Sequence, residues 1–431
     1  MRSLAALGAC SGLVGAPTDA DAQALRTDIF RGLGRLPGTM NGSWAWGISA
    51  DGSVVVGRSA SSLGPQAFRW SADLGMEGLG DLPGGSFASW ACAVSADGSV
   101  IAGFGKSAAS GNNDEAFVYS KALGMMPLGD LPGGEFLSQA YAVSTDGSTI
   151  VGVSRTINGF EAFRWSESAG MVGLGDLPGG VVSSGGQGVA PRGAAVVGYG
   201  WADLGYEPFL WTPAGGMQSL GDLPGGAHFG IANAITPDAS VVVGLSSSEA
   251  SGTGSEAFRW DRAFGLRSLG DLSGGIVQSQ AQAVSADGWV VVGEATSDLG
   301  REAFIWDPIH GTRNLRSVVI AEFGLEAARA LAGWTLRTAT AISADGTVIA
   351  GNGINPLGQS EAWVARVMPF CYANCDGSTV PPVLNVNDFA CFLTAFATGS
   401  LYANCDGSTT APAVNVADLI CFNEKFASGC P

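Results

Sequence analysis

The chain has 431 residues, of which 46% are hydrophobic and 14% charged, and this supplies enough apolar material for a large folded body. Its formal net charge of −17 argues against a surface that binds a nucleic-acid backbone or an anionic membrane. Beyond residue 25 the apolar runs are short, such as SVVVG at 53–57. The sequence therefore predicts no membrane span, which needs about 18 or more apolar residues.

The first 24 residues have the pattern of a secretion signal. Arg2 precedes a short apolar stretch, and Ala20 and Ala22 form an A-x-A site that a signal peptidase could cut. LGAC at 7–10 also has the form of a lipoprotein cleavage site, so cleaved secretion and a lipid anchor at Cys10 both stay open. Both alternatives predict a protein that is extracellular or at the cell surface.

One phrase then recurs along most of the chain. LGDLPGG first stands at 79–85, a variant LGDLSGG ends the series at 269–275, and a weaker copy, LGRLPGT, comes earlier at 33–39. The spacing is 46 or 49 residues, a period that suits the four strands of a propeller blade. The opening leucines are Leu33, Leu79, Leu128, Leu174, Leu220, Leu269 and, in a degraded copy, Leu315.

Each repeat predicts four strands, which we name a, b, c and d. Strand a keeps one face thin in every repeat, as with Ala45 and Gly47 in the first, and thin faces are expected where sheets crowd near a propeller axis. In the third repeat the four strands are SQAYAVS (138–144), STIVGVS (148–154), EAFRWS (161–166) and GMVGLGDL (170–177).

An Asp-Gly pair joins strands a and b in five repeats. It predicts a type I′ hairpin turn, in which both central residues have positive φ. The fourth and fifth repeats have Arg192-Gly193 and Asp238-Ala239 instead, so distorted turns are expected there. The five pairs are Asp51-Gly52, Asp97-Gly98, Asp146-Gly147, Asp287-Gly288 and Asp345-Gly346.

The order of the strands predicts how the fold closes. The chain begins with a d strand at about residues 30–36 and ends its last repeat after strand c, at 361–367. The missing final d strand is therefore the first strand of the chain, and we expect the two segments to pair and leave no open edge. The predicted fold is all-β, a seven-bladed β-propeller closed by an N-terminal strand. A β-solenoid is the rival fold, but it would not require this permutation.

The repeats resemble those of the extracellular HAF repeat proteins. Units of that family combine an LGxLPGG-like phrase with a SADGxVVVG hairpin and an EAFRW strand, and all three motifs recur here over about residues 30–367. The resemblance implies export and a repeat fold, and it implies no agreed biochemical role.

Two rows of acidic or amide residues accompany the repeats. Both could ring one opening and bind a cation or a polyol, or they could accept hydrogen bonds from their own turns and loops. One row precedes strand c: Gln66, Glu115, Glu161, Glu207, Glu256, Glu302 and Glu361. The other lies in the phrase: Asp81, Asp130, Asp176, Asp222 and Asp271.

The repeats contain no recognisable catalytic motif. The two histidines, His228 and His310, are almost two repeats apart, and the chain has neither H-x-x-x-H nor G-x-S-x-G. A carboxylate pair for glycoside hydrolysis could still be formed by folding. We therefore predict no catalytic residues and no enzyme, with a carbohydrate-active propeller as the alternative.

Features that differ between repeats are better candidates for a binding site. The b–c loops vary, for example at 105–115 and 246–256, and variable loops on a rigid frame often bind ligands. The last repeat adds residues 317–334, in which Leu325, Ala328 and Leu331 stand at helical spacing and predict a short helix at one rim. Trp44, Trp90 and Trp201 are candidates for stacking on sugars, or else part of the core.

The tail contains a second, shorter repeat. YANCDGST occurs at 372–379 and 402–409, each followed by an amphipathic segment, at 385–399 and 415–429. This pattern resembles a dockerin, with paired EF-hand-like loops, and its cysteines resemble the GC-type dockerin anchors of secreted bacterial proteins. The resemblance covers 371–430 and implies attachment to a cohesin-like or cell-surface protein.

The dockerin resemblance also implies calcium as a cofactor, bound by hard oxygen ligands. Two departures stand against it: Tyr372 and Tyr402 occupy the places where such loops open with Asp, and inserted TVPP and TTAP segments lengthen the loops. A disulfide-held helix pair without metal is the alternative. The implied ligands are Asn374, Asp376, Asn385, Asp388, Asn404, Asp406, Asn415 and Asp418.

Six cysteines in the tail indicate a disulfide-stabilised module made outside the cytoplasm. Six cysteines allow 15 connectivities. The repeat symmetry suggests Cys375 with Cys391 and Cys405 with Cys421, with Cys371 and Cys430 joining the ends. Cys92 is left over and is expected to be a small buried residue.

These observations divide the chain into a signal (1–24), a propeller (25–368) and a dockerin-like tail (369–431). The leading hypothesis is a secreted, non-enzymatic binding or scaffold module with a polysaccharide or protein ligand at the propeller rim. We expect a monomeric ring with no nucleic-acid partner. A propeller enzyme carried by a dockerin and a purely structural envelope or matrix spacer are the alternatives.

Overall fold

The structure is a computed structural model that describes residues 28–38, 42–375, 384–405 and 414–429. Strands occupy most of the range 30–366, and two helices dominate the tail. The predicted signal, with Cys10, lies outside the described residues, as do Asp376, Asp406 and Cys430.

The strands follow one another in fours, which we call units. Unit one contains β2 (Ser43–Ile48), β3 (Val54–Ala60), β4 (Pro65–Ser71) and β5 (Gly75–Gly78); unit two contains β6 (Gly84–Val94), β7 (Val100–Ser107), β8 (Asp114–Ser120) and β9 (Gly124–Pro127). Unit three contains β10 (Gly133–Val143), β11 (Ile150–Thr156), β12 (Gly159–Ser166) and β13 (Gly170–Gly173); unit four contains β14 (Val182–Val189), β15 (Val196–Trp201), β16 (Tyr206–Thr212) and β17 (Gly216–Ser219).

The remaining units and the helices complete the described elements. Unit five contains β18 (Gly230–Ile235), β19 (Val241–Ser246), β20 (Glu256–Asp261) and β21 (Gly265–Gly270); unit six contains β22 (Ser279–Val284), β23 (Val291–Ser297), β24 (Gly300–Asp307) and β25 (Gly311–Asn314). Unit seven contains β26 (Thr335–Ile342), β27 (Val348–Ile354), β28 (Ser360–Arg366) and the N-terminal β1 (Phe30–Gly32). The helices are α1 (Leu315–Ala330), α2 (Val386–Ala397) and α3 (Val416–Ser428), with 3₁₀ turns at Pro191–Gly193 and Leu401–Ala403.

Within each unit the strands pair antiparallel in the order a, b, c, d. Five units are separate four-stranded sheets, while units three and four join into one eight-stranded sheet through a short parallel pairing of β12 with β14. Each strand a contacts strand a of the next unit, and β26 contacts β2, so the contacts return to the start. This radial arrangement of antiparallel units is that of a β-propeller, with strand a innermost.

The innermost strands are thin because the units converge there. The first member of the small pair on strand a, such as Ala45, Ala140 or Ala281, has no exposed surface, and strand a has a bulge between the two members. Opposite this bulge every strand b has a glycine, where a β-carbon would come within about 2 Å of a strand a carbonyl oxygen. Close backbone approach therefore requires these glycines: Gly57, Gly103, Gly152, Gly198, Gly244, Gly293 and Gly351.

The first strand closes the last unit. β1 pairs antiparallel with β28, with Phe30 opposite Ala365 and Gly32 opposite Trp363. The backbone N–H of Leu33 continues the pairing by donating to Ala362 O at 2.9 Å. The prediction that the N-terminal strand pairs beside residues 361–367 is confirmed.

The predicted type I′ turns are wrong. In the first Asp-Gly turn only Gly52 has positive φ, and its N–H donates to Ser49 O at 3.0 Å. Asp51 keeps negative φ because its carboxylate accepts bonds from the Ser49 hydroxyl at 2.6 Å and the Ser53 N–H at 2.9 Å. The side-chain bonds of Ser and Asp therefore select a longer turn than Asp-Gly alone predicts.

The fifth unit keeps this turn geometry without glycine. Ala239 takes the position with φ 58°, and its N–H donates to Thr236 O at 2.9 Å. Since a β-carbon is strained in this region, we expect Ala239→Gly to raise the free energy of unfolding by about 0.5 to 1 kcal/mol. Urea unfolding checks this value. The matched change Ala50→Gly, at a negative φ in the first turn, should lower stability instead, and a loss of stability in Ala239→Gly would contradict the strain argument.

The same turns make stability depend on pH. Burial opposes ionisation of Asp51, but hydrogen bonds from Ser49 and Ser53 outweigh it and lower the pKa of this carboxyl. A lowered folded-state pKa gives stability that is present above the ordinary carboxyl pKa and lost as pH falls through the lowered one. We expect Asp51→Asn to be less stable than the wild type at neutral pH and equal to it at about pH 2. A constant difference across urea titrations at both pH values would contradict this.

The inserted helix differs from its predicted form. α1 is kinked at Gly324, which has φ 64° and ψ −139°, so one helical periodicity does not run through it. Of the expected face, Leu331 is buried in the core of units six and seven with Val318, Val319 and Ala327, whereas Leu325 is 75% exposed. The kink therefore shifts the apolar face relative to the sequence pattern.

The tail forms a symmetric pair of helices packed against the ring. The rings of Phe392 and Phe422 stack at 4.0 Å, and Tyr372 stacks on Tyr402 at 4.8 Å, each hydroxyl donating to the carbonyl of the other tyrosine. Trp289 of the ring lies 5.2 Å from Tyr372. Disulfide bonds join Cys375 to Cys391 and Cys405 to Cys421; Cys371 is also disulfide-bonded, and Cys92 is a free, partly buried thiol.

Candidate functional site

The aspartates of the LGDLPGG phrase contribute hydrogen-bond acceptors to the fold. Three of the five accept a hydrogen bond from a backbone N–H seven residues later, just beyond the PGG turn. Burial raises the pKa of Asp81 and Asp176 in spite of these bonds. The pairs are Asp81 with Ala88 at 2.9 Å, Asp176 with Ser183 at 2.6 Å and Asp271 with Gln278 at 2.7 Å.

The glutamates before strand c also bind neighbouring groups. Glu161 accepts from the Gly175 N–H at 3.0 Å, and Glu361 accepts from the Gly34 N–H at 2.9 Å. Three others accept from serine hydroxyls at the end of strand b or just after it, namely Glu115 from Ser107, Glu256 from Ser248 and Glu302 from Ser297. These bonds favour the structural explanation of both acidic rows over a ring of cation or polyol ligands.

One position on strand a and one on strand b carry different residues from unit to unit, although the surrounding residues are repeated. Immediately before the small pair, one residue of strand a faces one residue of strand b, and we call these the rim pairs. Their identities range from aromatic to charged, which distinguishes them from the constant alanines and glycines around them. The rim pairs are Trp44/Arg58, Trp90/Phe104, Gln139/Val153, Gly185/Tyr199, Ile231/Leu245, Gln280/Glu294 and Thr338/Asn352.

The rim pairs lie at the rim that also carries the variable b–c loops. Trp44 is the second residue of β2, and Arg58 is near the end of β3, just before the loop to β4. Because strand a is innermost, the pairs face the central part of this rim. The side chains of Trp44, Arg58, Trp90 and Phe104 are each half-buried, so part of each remains accessible.

Units one to three form the first half of an aromatic belt. The Arg58 guanidinium lies 4.3 Å from the centre of the Trp44 ring and 6.0 Å from that of Trp90. Trp90 stacks on Phe104 at 5.0 Å, and Phe104 meets Tyr141 edge-on at 6.4 Å. These contacts cross the boundaries between units, so the belt is continuous over three of them.

Polar groups are interleaved with these rings. The Tyr141 hydroxyl donates to Gln139 Oε1, and the Gln139 amide donates to Asp114 Oδ2 at 2.6 Å. Lys106 pairs with Asp114 at 2.8 Å. Burial first, and then the nearby Tyr199, raise the pKa of the Tyr141 hydroxyl. The hydroxyl therefore stays protonated and can donate at neutral pH.

Unit four and its neighbour form the second half of the belt. Tyr206 meets Trp201 at 4.7 Å, Tyr199 at 5.5 Å and Phe229 at 6.5 Å, all edge-on. The Tyr206 hydroxyl is 2.9 Å from that of Ser183. The opposite side of the rim is polar, where Glu294 accepts from Thr338 at 2.6 Å and pairs with Arg301 at 3.3 Å.

The three tryptophans singled out from the sequence all belong to this belt. The sequence did not single out Arg58, Tyr199 or Tyr206, which join them in space. Aligning the repeats and looking for the positions that vary would have identified Arg58 and Tyr199, because both belong to rim pairs. Tyr206 is on strand c and only the structure places it there.

The histidines lie in separate local pairs. His228 Nδ1 is 3.1 Å from Asp222, while His310 contacts the buried Asp307, which also binds Arg313. Burial opposes ionisation of Asp307, but its bonds to His310 and the charge of Arg313 lower its pKa. Across the ranges that the structure describes, no group of three His, Cys, Asp or Glu side chains is arranged to hold a metal ion.

The described calcium candidates in the tail act as helix caps. Asn385 caps α2 and Asn415 caps α3, each in a capping box with an aspartate three residues later. Asp388 and Asp418 are fully buried and accept the N–H of these asparagines at 2.7 Å. Two buried carboxylates in identical settings, beside amide oxygens, are a donor set that suits calcium. Asn374 and Asn404 are also buried or partly buried next to the bridged cysteines.

No protein family model matches the chain, and no curated protein matches it. Among solved structures, it is similar to TolB from Acinetobacter baumannii (11% identity, TM-score 0.41), covering 62% of this chain and 60% of that one. It is also similar to puromycin hydrolase (16%, TM-score 0.47), covering 75% of this chain and 51% of that one. Scores this low carry no argument about activity.

None of the helices in the described ranges is long and apolar enough to cross a membrane.

Proposed function

We propose that the chain is a secreted, non-enzymatic binding module, built as a seven-bladed propeller that presents a ligand site at the aromatic belt. The observation that carries this proposal is the contrast between constant and varied positions. The frame repeats the same alanines, glycines and hydrogen bonds, whereas the rim pairs differ in every unit. The pairs of units one, two and four, together with Tyr141 of unit three, leave aromatic surface accessible. Aromatic rings combined with a few placed polar groups are typical of ligand sites.

We further propose that the tail attaches this module to a cohesin-like or cell-surface protein. Support comes from the exposed apolar side chains of the tail helices, which include Val386 and Leu393 on α2 and Val416 and Ile420 on α3. Apolar side chains that remain exposed on a folded module often mark a protein interface. When bound, calcium would neutralise the charge of Asp388 and Asp418.

The test is a binding survey of the full chain on a broad polysaccharide array, with released sugars measured in the same wells. We expect binding without release, reduced in Trp90→Ala. The matched control is Phe160→Ala, because Phe160 is an exposed aromatic at the start of β12, outside the belt. Sugar release would overturn the non-enzymatic assignment in favour of the propeller enzyme. Binding that Trp90→Ala leaves unchanged would remove the belt as the site.

A further inference from the structure

Arg58 is placed unusually for a charged side chain. Its guanidinium lies near the rings of Trp44 and Trp90, which belong to successive units, and the side chain is half-buried. Burial is the cause that lowers its pKa, and no neighbouring charge contributes. Arginine tolerates this setting because it stacks well on aromatic faces and remains charged.

This guanidinium has no acceptor among the described residues. Some other arginines of the ring bind carboxylates, as Arg259 does with Asp261 and Arg313 with Asp307, but the Arg58 side chain forms neither an ion pair nor a hydrogen bond with any described group. The chain carries 38 acidic against 21 basic residues, so carboxylates are available in excess. An arginine without one, at an accessible rim, keeps its donors free for a ligand.

We propose that the belt binds an acidic saccharide, with the sugar ring on Trp44 or Trp90 and its anionic group on Arg58. This inference rests on the proposed function and specifies its ligand class. A pyranose has apolar C–H faces that match an indole ring, while its edge carries hydroxyls. The carboxylate of a uronic acid or a sulfate ester fits the planar donor pair of a guanidinium.

The neighbouring polar groups favour a saccharide over a peptide. Gln139, Tyr141, Lys106 and Asp114 form a hydrogen-bonded network within the belt, between the aromatic faces. Alternating stacking surfaces and fixed donors and acceptors suit a polyol, which offers both along its length. A protein partner would be expected to meet a continuous apolar centre with a polar rim.

The experiment measures the affinity of the full chain for three polymers: polygalacturonate, dextran sulfate and neutral dextran. We expect one or both acidic polymers to bind at least about tenfold tighter than dextran, since the guanidinium forms charge-assisted hydrogen bonds that a neutral polymer cannot match. Arg58→Gln should remove this preference, and Arg58→Lys should keep part of it. Polygalacturonate and dextran sulfate distinguish a carboxylate from a sulfate ester.

The matched control is Arg267→Gln. Arg267 is on strand d of unit five, away from the rim pairs, and its guanidinium lies 4.2 Å from the centre of the Phe264 ring. It should leave the preference unchanged, and melting temperatures of all variants report folding. Equal binding of acidic and neutral polymers, or acidic binding that survives Arg58→Gln, overturns the inference. If a neutral glycan binds and only Trp90→Ala weakens it, the proposed function stands without the acidic ligand. If the binding of no polymer or array glycan depends on the belt, both the acidic-saccharide inference and the proposed function are overturned.

Discussion

Deleting residues 25–38 is expected to lower the free energy of unfolding by more than about 5 kcal/mol and to open the ring between units seven and one. The deletion removes the pairing of β1 with β28 and two leucines, Leu33 and Leu36, that are each only 5% exposed. Truncating one buried leucine costs about 2 to 5 kcal/mol by itself. The edge of β28 would also be left unpaired, which promotes association between chains.

The matched comparison is a chain that begins at residue 25 and keeps the strand. Urea unfolding of the two forms gives the stability difference, and size-exclusion chromatography reports association. Adding a synthetic peptide of residues 28–38 to the truncated chain should restore part of the stability, because the contacts of β1 with β28 are non-covalent and can form again with a separate strand. Equal melting of the two forms would show that the N-terminal strand does not close the ring.

Gly244→Ala is expected to destabilise the protein by about 3 kcal/mol or more, an effect far above that of an ordinary glycine replacement. A β-carbon at Gly244 would lie 1.9 Å from the carbonyl oxygen of Ile231. The obstacle is backbone, which cannot move aside as a side chain does, and it belongs to the strand that packs against the neighbouring units. The pairing of β18 with β19 would therefore have to separate.

Gly47→Ala is the matched control for this prediction. Gly47 belongs to the small pair of strand a, and five of the other units have alanine at the equivalent position. A β-carbon there would lie 3.0 Å from a valine methyl group and 3.1 Å from the Cα of Ala93, which is tight but far from the 1.9 Å overlap at Gly244. We expect a change within about 1 kcal/mol. Equal losses of stability in both variants, measured by urea unfolding, would contradict the steric argument.

Much of the frame could be predicted from local patterns. Strand periodicity, the repeat length and the displaced d strand predicted the four-stranded units and the pairing of the first strand with residues 361–367. The turns were harder because Asp51 prefers hydrogen bonds to Ser49 and Ser53 over the backbone form that Asp-Gly favours. The face of α1 was only partly predicted because Gly324 interrupts its periodicity.

The candidate site was only partly visible in the sequence. The tryptophans stood out by type, but aromatic repeats are as common in cores as at ligand sites. Arg58 was not singled out, since nothing in the local pattern shows that Trp90, 32 positions later in the chain, comes within 6.0 Å of its guanidinium. Contacts between successive units depend on how closely the inner strands pack, and sequence spacing does not report that distance.

By itself the sequence determined the strands, their order and the position of the closing strand, because these follow from alternation, turn residues and a fixed repeat length. It also determined which positions vary between repeats. Only the tertiary structure decided that most residues of the acidic rows accept backbone or serine hydrogen bonds and that Arg58 lies near two tryptophans without a carboxylate. The physical reason is that charge pairing and ring stacking act over a few ångströms across unit boundaries, and the fold sets those distances.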